Sequence, residues 1–207
     1  RCKLLGEFNV SNVLGVVSLL GLLGYEFSKI LSAVAGLKNV LGRMDALAHP
    51  GMPLVVIDYA HTPDALAKAL KALRVHCQAE LWCVFGCGGD RDKGKRAEMG
   101  RVATDLADHS IVTDDNPRSE NSAAIIQDII AGTSPGRDVI VESDRSLAIH
   151  CALQKAKLGD IILIAGKGHE DYQEISGQRL KYSDYTEVEK FYRHEVPKNM
   201  SSGSSLS

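Results

Sequence analysis

Three short runs in this chain are apolar at essentially every position: Leu54-Val55-Val56-Ile57, Leu81-Trp82-Cys83-Val84-Phe85 and Ile161-Ile162-Leu163-Ile164-Ala165. A strand with one wet face alternates apolar and polar residues. An unbroken run needs cover on both faces, the situation of a strand inside a parallel sheet. Parallel strands need long crossovers, and the segments between these runs carry helical spacing and helix-start signals such as Thr62-Pro63. The expected fold is therefore α/β: a mostly parallel sheet with helices on both faces.

The order of elements follows from the same signals. Strands are expected at Leu54–Asp58, Leu81–Phe85, Ile111–Thr113, Val139–Val141 and Asp160–Ala165. Helices are expected from Pro63, from Lys95 to Leu106, from Ser122 to Ala131 and from Asp144 to Lys157. Near Tyr172 to Tyr182 the period changes and Ser176-Gly177 reads as a turn, so a hairpin is expected there. A last helix is expected from Thr186 to His194. Ahead of this unit, Ser11 or Asn12 could cap a helix ending at Gly24, and a second could run from Glu26 to Leu37 with Ile30, Leu31, Val34 and Leu37 on one face. These two helices have no strand of their own and read as the end of a preceding domain. The expected partition is 1–40, 41–195 and a Ser-rich, disordered tail at 196–207.

With 207 residues and 44% hydrophobic content, the chain can bury one full core and part of a second. A formal charge of −2 gives no support for a nucleic-acid or anionic-membrane partner. Five cysteines, odd in number and scattered, suit a reducing, cytoplasmic setting better than a disulfide framework. Cys83 and Cys87 have no second pair at zinc spacing, so no metal site is expected. The apolar run Val13–Leu23 is too short to span a bilayer, which takes about 20 residues. The chain opens on Arg1 rather than Met, and a fragment of a longer protein is expected.

Chemistry is expected in the loops that leave the strands at their carboxyl ends, where open α/β sheets place ligands. After Ile111–Thr113 comes Asp115-Asn116-Pro117-Arg118. Pro117 fixes its own φ near about −65° and biases Asn116 towards extended geometry, so the loop is stiff. Its guanidinium can take a carboxylate bidentately. After Leu81–Phe85 comes a glycine-rich loop in which Gly89 to Lys95 spells GxxxxGK. Arg96 then stands where a Ser or Thr hydroxyl would bind magnesium, so this is no P-loop. Arg91 replaces the third glycine of GxGxxG, which disfavours dinucleotide binding. Arg91 and Arg118 leave successive strands and should face one crevice, a cationic lining suited to a substrate with several carboxylates. Gly166-Lys167-Gly168-His169-Glu170 follows the last strand of the sheet; Glu170 can accept hydrogen bonds from an ammonium group. Asp58 and His61 close the first strand, where a carboxylate could meet ribose hydroxyls. Arg43 can reach a nucleotide, and the amides of Asn9 and Asn12 could read an adenine edge or simply cap a helix.

As an ordered set, GEFNVSN, GRMD, DYAHTPD, GCGGDRDKGKR, TDDNPR and AGKGHEDYQ resemble the C-terminal region of the Mur ligases, over essentially Arg1 to Arg193. The branch resembled adds meso-diaminopimelate to UDP-N-acetylmuramoyl-L-alanyl-D-glutamate. The resemblance implies an ATP- and Mg²⁺-dependent ligase of peptidoglycan precursor synthesis that works through an acyl phosphate. It implies that 1–40 end the central ATPase domain and that 41–195 form a Rossmann-like sheet that binds the incoming amino acid. Arg91, Asp115, Asn116, Pro117, Arg118, Gly166 and Glu170 would form the diaminopimelate site, with Asn116 and Arg118 on the distal carboxylate and Glu170 on the distal ammonium. Asn9, Asn12, Arg43, Asp58 and His61 would contribute to the ATP site. No catalytic or metal-binding residue is implied in this stretch, and without a P-loop it is not expected to turn over alone. The readings left open are a lysine-adding relative, a non-catalytic amino-acid-binding module and a dinucleotide-binding oxidoreductase domain.

Overall fold

The computed structural model describes residues 6–37 and 39–195. Two helices, α1 (Glu7–Leu22) and α2 (Phe27–Ala35), lead to a short strand, β1 (Asp45–Leu47). The alternation follows as β2 (Leu54–Asp58), α3 (Pro63–Arg74), β3 (Leu81–Phe85), α4 (Gly94–Leu106), β4 (His109–Val112), α5 (Ser122–Ile130), β5 (Asp138–Val141), α6 (Arg145–Lys155) and β6 (Ile161–Ala165). A hairpin of β7 (Tyr172–Ile175) and β8 (Gln178–Lys181) and a last helix, α7 (Asp184–Glu195), complete it. The sheet order is β1-β2-β6-β3-β4-β5. Every neighbouring pair is parallel except β1 with β2.

The unbroken apolar runs are explained by two cores, one on each face. On β3, Leu81, Cys83 and Phe85 face α3, α4 and α5, while Trp82 and Val84 face α6 and α7. On β6, Ile161, Leu163 and Ala165 take the first side, and Ile162 and Ile164 the second. Both strands are wholly buried. Burying each such side chain contributes roughly 1.5–3 kcal/mol relative to leaving it in water. The starts of α3, α5 and α6 are fixed by side-chain caps. Thr62 accepts from Ala65 N–H ahead of Pro63, Asn121 from Ala124 N–H, and Asp144 from Leu147 N–H.

Three expectations need correction. Helix α1 begins at Glu7 rather than at Ser11 or Asn12, because Gly6 (φ 93°) supplies the break. Asn9 and Asn12 thus lie inside the helix, where Asn12 Nδ2 donates to Asn9 Oδ1 (3.4 Å). Strand β1, antiparallel at the sheet edge, gave no periodic signal over only three residues. In α2 only Ile30 is buried; Leu31 and Leu37 are exposed, so the anticipated apolar face is only partly covered. The two helices do pack on each other. Among the described residues no helix is long and apolar enough to cross a membrane. The tail at 196–207 lies outside the described residues.

Candidate functional site

Parallel strands β2, β6, β3 and β4 all end on one edge of the sheet, and their loops enclose a cavity of about 490 Å³. Tyr59 and His61 line it from the β2 loop, Gly88 and Arg91 from the β3 loop, Asp115, Asn116 and Arg118 from the β4 loop, and Gly166 and Glu170 from the β6 loop. The cationic pair anticipated on successive strands, Arg91 and Arg118, does share this cavity. So do the acidic groups Asp115 and Glu170. Pro117 stands in the β4 loop between Asn116 and Arg118.

The β4 loop is held from two sides. Towards β3, Asn116 O accepts from Gly89 N (2.9 Å), and Arg118 Nη1 donates to Gly89 O (2.7 Å). The approach is close enough that a Cβ on Gly89 would stand 1.9 Å from Pro117 O, so only glycine fits. Towards the β7–β8 hairpin, Arg118 N donates to Glu174 O (2.9 Å), and Ser176 N donates to Arg118 O (2.7 Å). Gln173 Nε2 donates to Asp115 O, and Glu174 N donates to Asn116 Oδ1, both at 2.9 Å. These bonds hold Arg118 at φ 55°, in the left-handed region.

Inside this frame the polar side chains pair closely. Asn116 is buried; its Oδ1 takes Lys167 Nζ (2.9 Å) and its Nδ2 donates to Glu170 Oε2 (3.0 Å). Its carboxamide oxygen is therefore already engaged. Arg118 is better supplied with donors for a ligand. It has five N–H groups; Gly89 takes one and Glu174 Oε2 faces Nε at 3.6 Å, leaving the rest. The acidic side leaves an electrostatic mark: burial first, then the negative charges of Glu170 and Asp115, raise the Tyr59 phenol above its ordinary value.

Three buried cations, Lys167, Arg96 and Arg145, went unassigned in the sequence. Lys167, fully buried, meets Asp115, Asn116 and Glu170. Arg96, also fully buried, binds Glu120 through both terminal nitrogens, reaches Asp128 and donates to Gly88 O. Its hydrogen bonds are the main reason the Glu120 carboxyl is lowered to about 2. The only local signal was position: a lysine between two glycines after an apolar strand, and an arginine in the first turn of a helix.

The five residues expected at a nucleotide are not gathered in one place. Asn9, Asn12 and Arg43 line a second, mainly apolar cavity of about 260 Å³ with Val13, Val16 and Val34. His61 lines the first cavity, and its Nδ1 lies 2.8 Å from Tyr59 O. Asp58 lines neither; its Oδ2 accepts from Met44 N (2.7 Å), and burial raises its carboxyl despite that bond. Arg43 bridges the two regions by lying over the Tyr59 ring at 4.7 Å. His169 is exposed and tilted against Tyr59, ring centres 5.7 Å apart. Among the described residues no group of three His, Cys, Asp or Glu could hold a metal ion.

Residues 42–168 match the family model described as Mur ligase, glutamate ligase domain. A UDP-N-acetylmuramoyl-L-alanyl-D-glutamate--2,6-diaminopimelate ligase of Vibrio vulnificus (strain YJ016) is 54% identical over 184 residues, covering 89% of this chain and 37% of that protein. The chain thus spans little more than a third of that relative's length. A solved structure of a ligase of the same name is 41% identical, with a TM-score of 0.75 over 95% of this chain and 41% of the other. The UDP-N-acetylmuramate-alanine ligase of Thermotoga maritima, 21% identical, shares the fold with a TM-score of 0.68 over 93% of this chain and 39% of its own. With the family model covering most of the chain, this protein belongs to the Mur ligase family.

Proposed function

We propose that this chain is the amino-acid-binding part of an ATP-dependent ligase that adds meso-diaminopimelate to UDP-N-acetylmuramoyl-L-alanyl-D-glutamate in peptidoglycan precursor synthesis. The observation that carries the reading is the two-signed cavity at the strand ends, with Arg91 and Arg118 opposed to Asp115 and Glu170. Diaminopimelate has an ammonium and a carboxylate at its distal end, and that pairing suits a cavity holding both signs. L-Lysine has the ammonium alone and would leave the remaining N–H donors of Arg118 without a ligand carboxylate. The name of the 54% identical relative agrees with this choice.

Under this reading Arg118 takes the distal carboxylate, helped by one remaining Nδ2 hydrogen of Asn116, and Glu170 takes the distal ammonium. Gly166 (φ 118°) lets the backbone pass beside Asp115. Arg91, exposed at the rim, supplies a second cation. These groups orient the amino acid so that its reacting amine can reach the carboxylate activated by ATP.

ATP is the expected phosphoryl donor. The cavity lined by Val13, Val16 and Val34, with the amides of Asn9 and Asn12 and the guanidinium of Arg43 at its edge, has the chemistry of a planar heterocycle's seat. His61 lines the first cavity instead, and Asp58 lines neither. No residue here is assigned to Mg²⁺. We also infer that residues 1–40 end the domain preceding the amino-acid-binding unit at 41–195, a division supported by a family match that starts at 42. Calorimetric titration with meso-diaminopimelate and L-lysine tests the proposal: preferential binding of the former supports it, and equal binding contradicts it.

A further inference from the structure

Lys167 stands behind the wall of the first cavity, not in it. Its Nζ lies 2.9 Å from Asn116 Oδ1, 3.3 Å from Glu170 Oε2 and 3.4 Å from Asp115 Oδ1. The rings of Tyr172 and Tyr182 close the other side, 5.6 and 5.9 Å from the ammonium. The side chain is wholly excluded from solvent. Burying an ammonium is costly unless it is paired, and here three acceptors meet its three donors.

The geometry points to Lys167 as the positioning residue that sets how this cavity receives a ligand ammonium group, an inference that rests on the diamino-acid reading above. The first link is orientation. A carboxamide can sit either way round, but the donors Lys167 Nζ and Glu174 N both require oxygen on their side of Asn116. The amide nitrogen is thereby turned to Glu170, which it holds at 3.0 Å. The second link is charge. Asp115 and Glu170 carry two negative charges and Lys167 one positive, which leaves one negative charge for one incoming ammonium. Without Lys167, two like charges would flank the cavity and the carboxamide would keep a single donor at its oxygen.

The test uses this 207-residue chain and two measurements. The first needs no ligand: hydrogen exchange of the Asn116 side-chain amide, followed by NMR. Exchange should quicken about tenfold or more in Lys167→Met and stay slow in Lys167→Gln, which retains a donor towards Asn116. The second is calorimetric binding of meso-diaminopimelate. Both single variants should bind about tenfold or more weakly, because both lack the charge. Asp115→Asn combined with Lys167→Met should recover part of that loss by removing the uncompensated carboxylate. Unchanged exchange in Lys167→Met overturns the orienting role. A double variant weaker than Lys167→Met, or Lys167→Gln binding like the wild type, overturns the charge role. A wild-type chain that binds no meso-diaminopimelate sinks the ligand assignment instead; the exchange result then still decides for or against the orientation claim.

Discussion

Arg118 occupies a left-handed backbone conformation that costs a non-glycine residue on the order of 1–2 kcal/mol, and the hairpin's two backbone bonds hold it there. The cost is understandable if the side chain must meet one particular anion. Arg118→Ala should therefore weaken meso-diaminopimelate by roughly 10- to 150-fold, the worth of about 1.5–3 kcal/mol for a charge-assisted hydrogen bond. L-Lysine binding should scarcely change. Arg118→Lys should not restore the loss, since an ammonium cannot reproduce the planar fork. Elsewhere, His109 lies between two carboxylates, its Nδ1 2.6 Å from Asp138 and its Nε2 2.9 Å from Glu80. Burial alone would lower its pKa, but the bonds to Asp138 and Glu80 together with their negative charges outweigh burial and raise it. A raised folded-state pKa contributes stability that is complete below the unfolded value, about 6.5, and is lost as pH rises through the folded value. His109→Gln should accordingly lower Tm more at pH 5.5 than at pH 9, and an equal loss at both would contradict the ion-pair account. At this scale the sequence was legible where a residue's role is local. Pro117 beside Arg118 marks a stiff cationic loop, whereas the buried cations Lys167, Arg96 and Arg145 meet acidic or amide partners 24 to 52 residues away (Asp115 and Asn116, Glu120 and Asp128, Asp184), and no local pattern announces those.

The β7–β8 hairpin shows how an element outside the main sheet shapes the cavity, because Gln173, Glu174 and Ser176 brace the loop from Asp115 to Arg118. Beneath that loop, Arg145 at the start of α6 joins three elements. It pairs with Asp184 at the start of α7 through Nε and Nη2 (2.8 and 2.9 Å) and donates to Ala165 O at the end of β6 (3.0 Å) and to Asp114 O after β4 (3.4 Å). Both partners are fully buried. Asp184→Asn leaves a buried guanidinium without its counter-charge and should cost about 3–5 kcal/mol in urea unfolding, the usual penalty for breaking such a pair from one side. A loss below about 1 kcal/mol would show that water or another group takes over. Elements were legible where their period was long enough to register. The buried strands declared themselves as apolar runs and α3 by Thr62-Pro63 at its start, while β1 is three residues long and α1 starts from a glycine break rather than from a capping side chain.

Across the whole molecule, the part from β1 to α7 is covered on both faces of its sheet, while α1 exposes Leu14, Leu19 and Leu22, the last at 87%, and α2 exposes Phe27 and Leu31. The layered α/β unit was readable because parallel sheets impose one composition on all their inner strands; the cavity at the strand ends was readable because such sheets gather their loops at one edge. The scattering of Asn9, Arg43, Asp58 and His61 over two regions was not, since it depends on how α1 and the loop before β1 settle against the β2 end. The sequence contains no GxxxxGK followed by Ser or Thr. Supplied with ATP, Mg²⁺, the UDP-linked dipeptide and diaminopimelate, this chain by itself should release no phosphate, and measurable release would place the ATP chemistry within these residues. The most direct measurement is calorimetric titration of the wild-type chain and Arg118→Ala with meso-diaminopimelate and with L-lysine. The expected result is saturable binding of meso-diaminopimelate well above that of lysine, with the difference erased in Arg118→Ala. Binding of lysine as tight as that of diaminopimelate, or a preference that survives the loss of Arg118, would contradict the account.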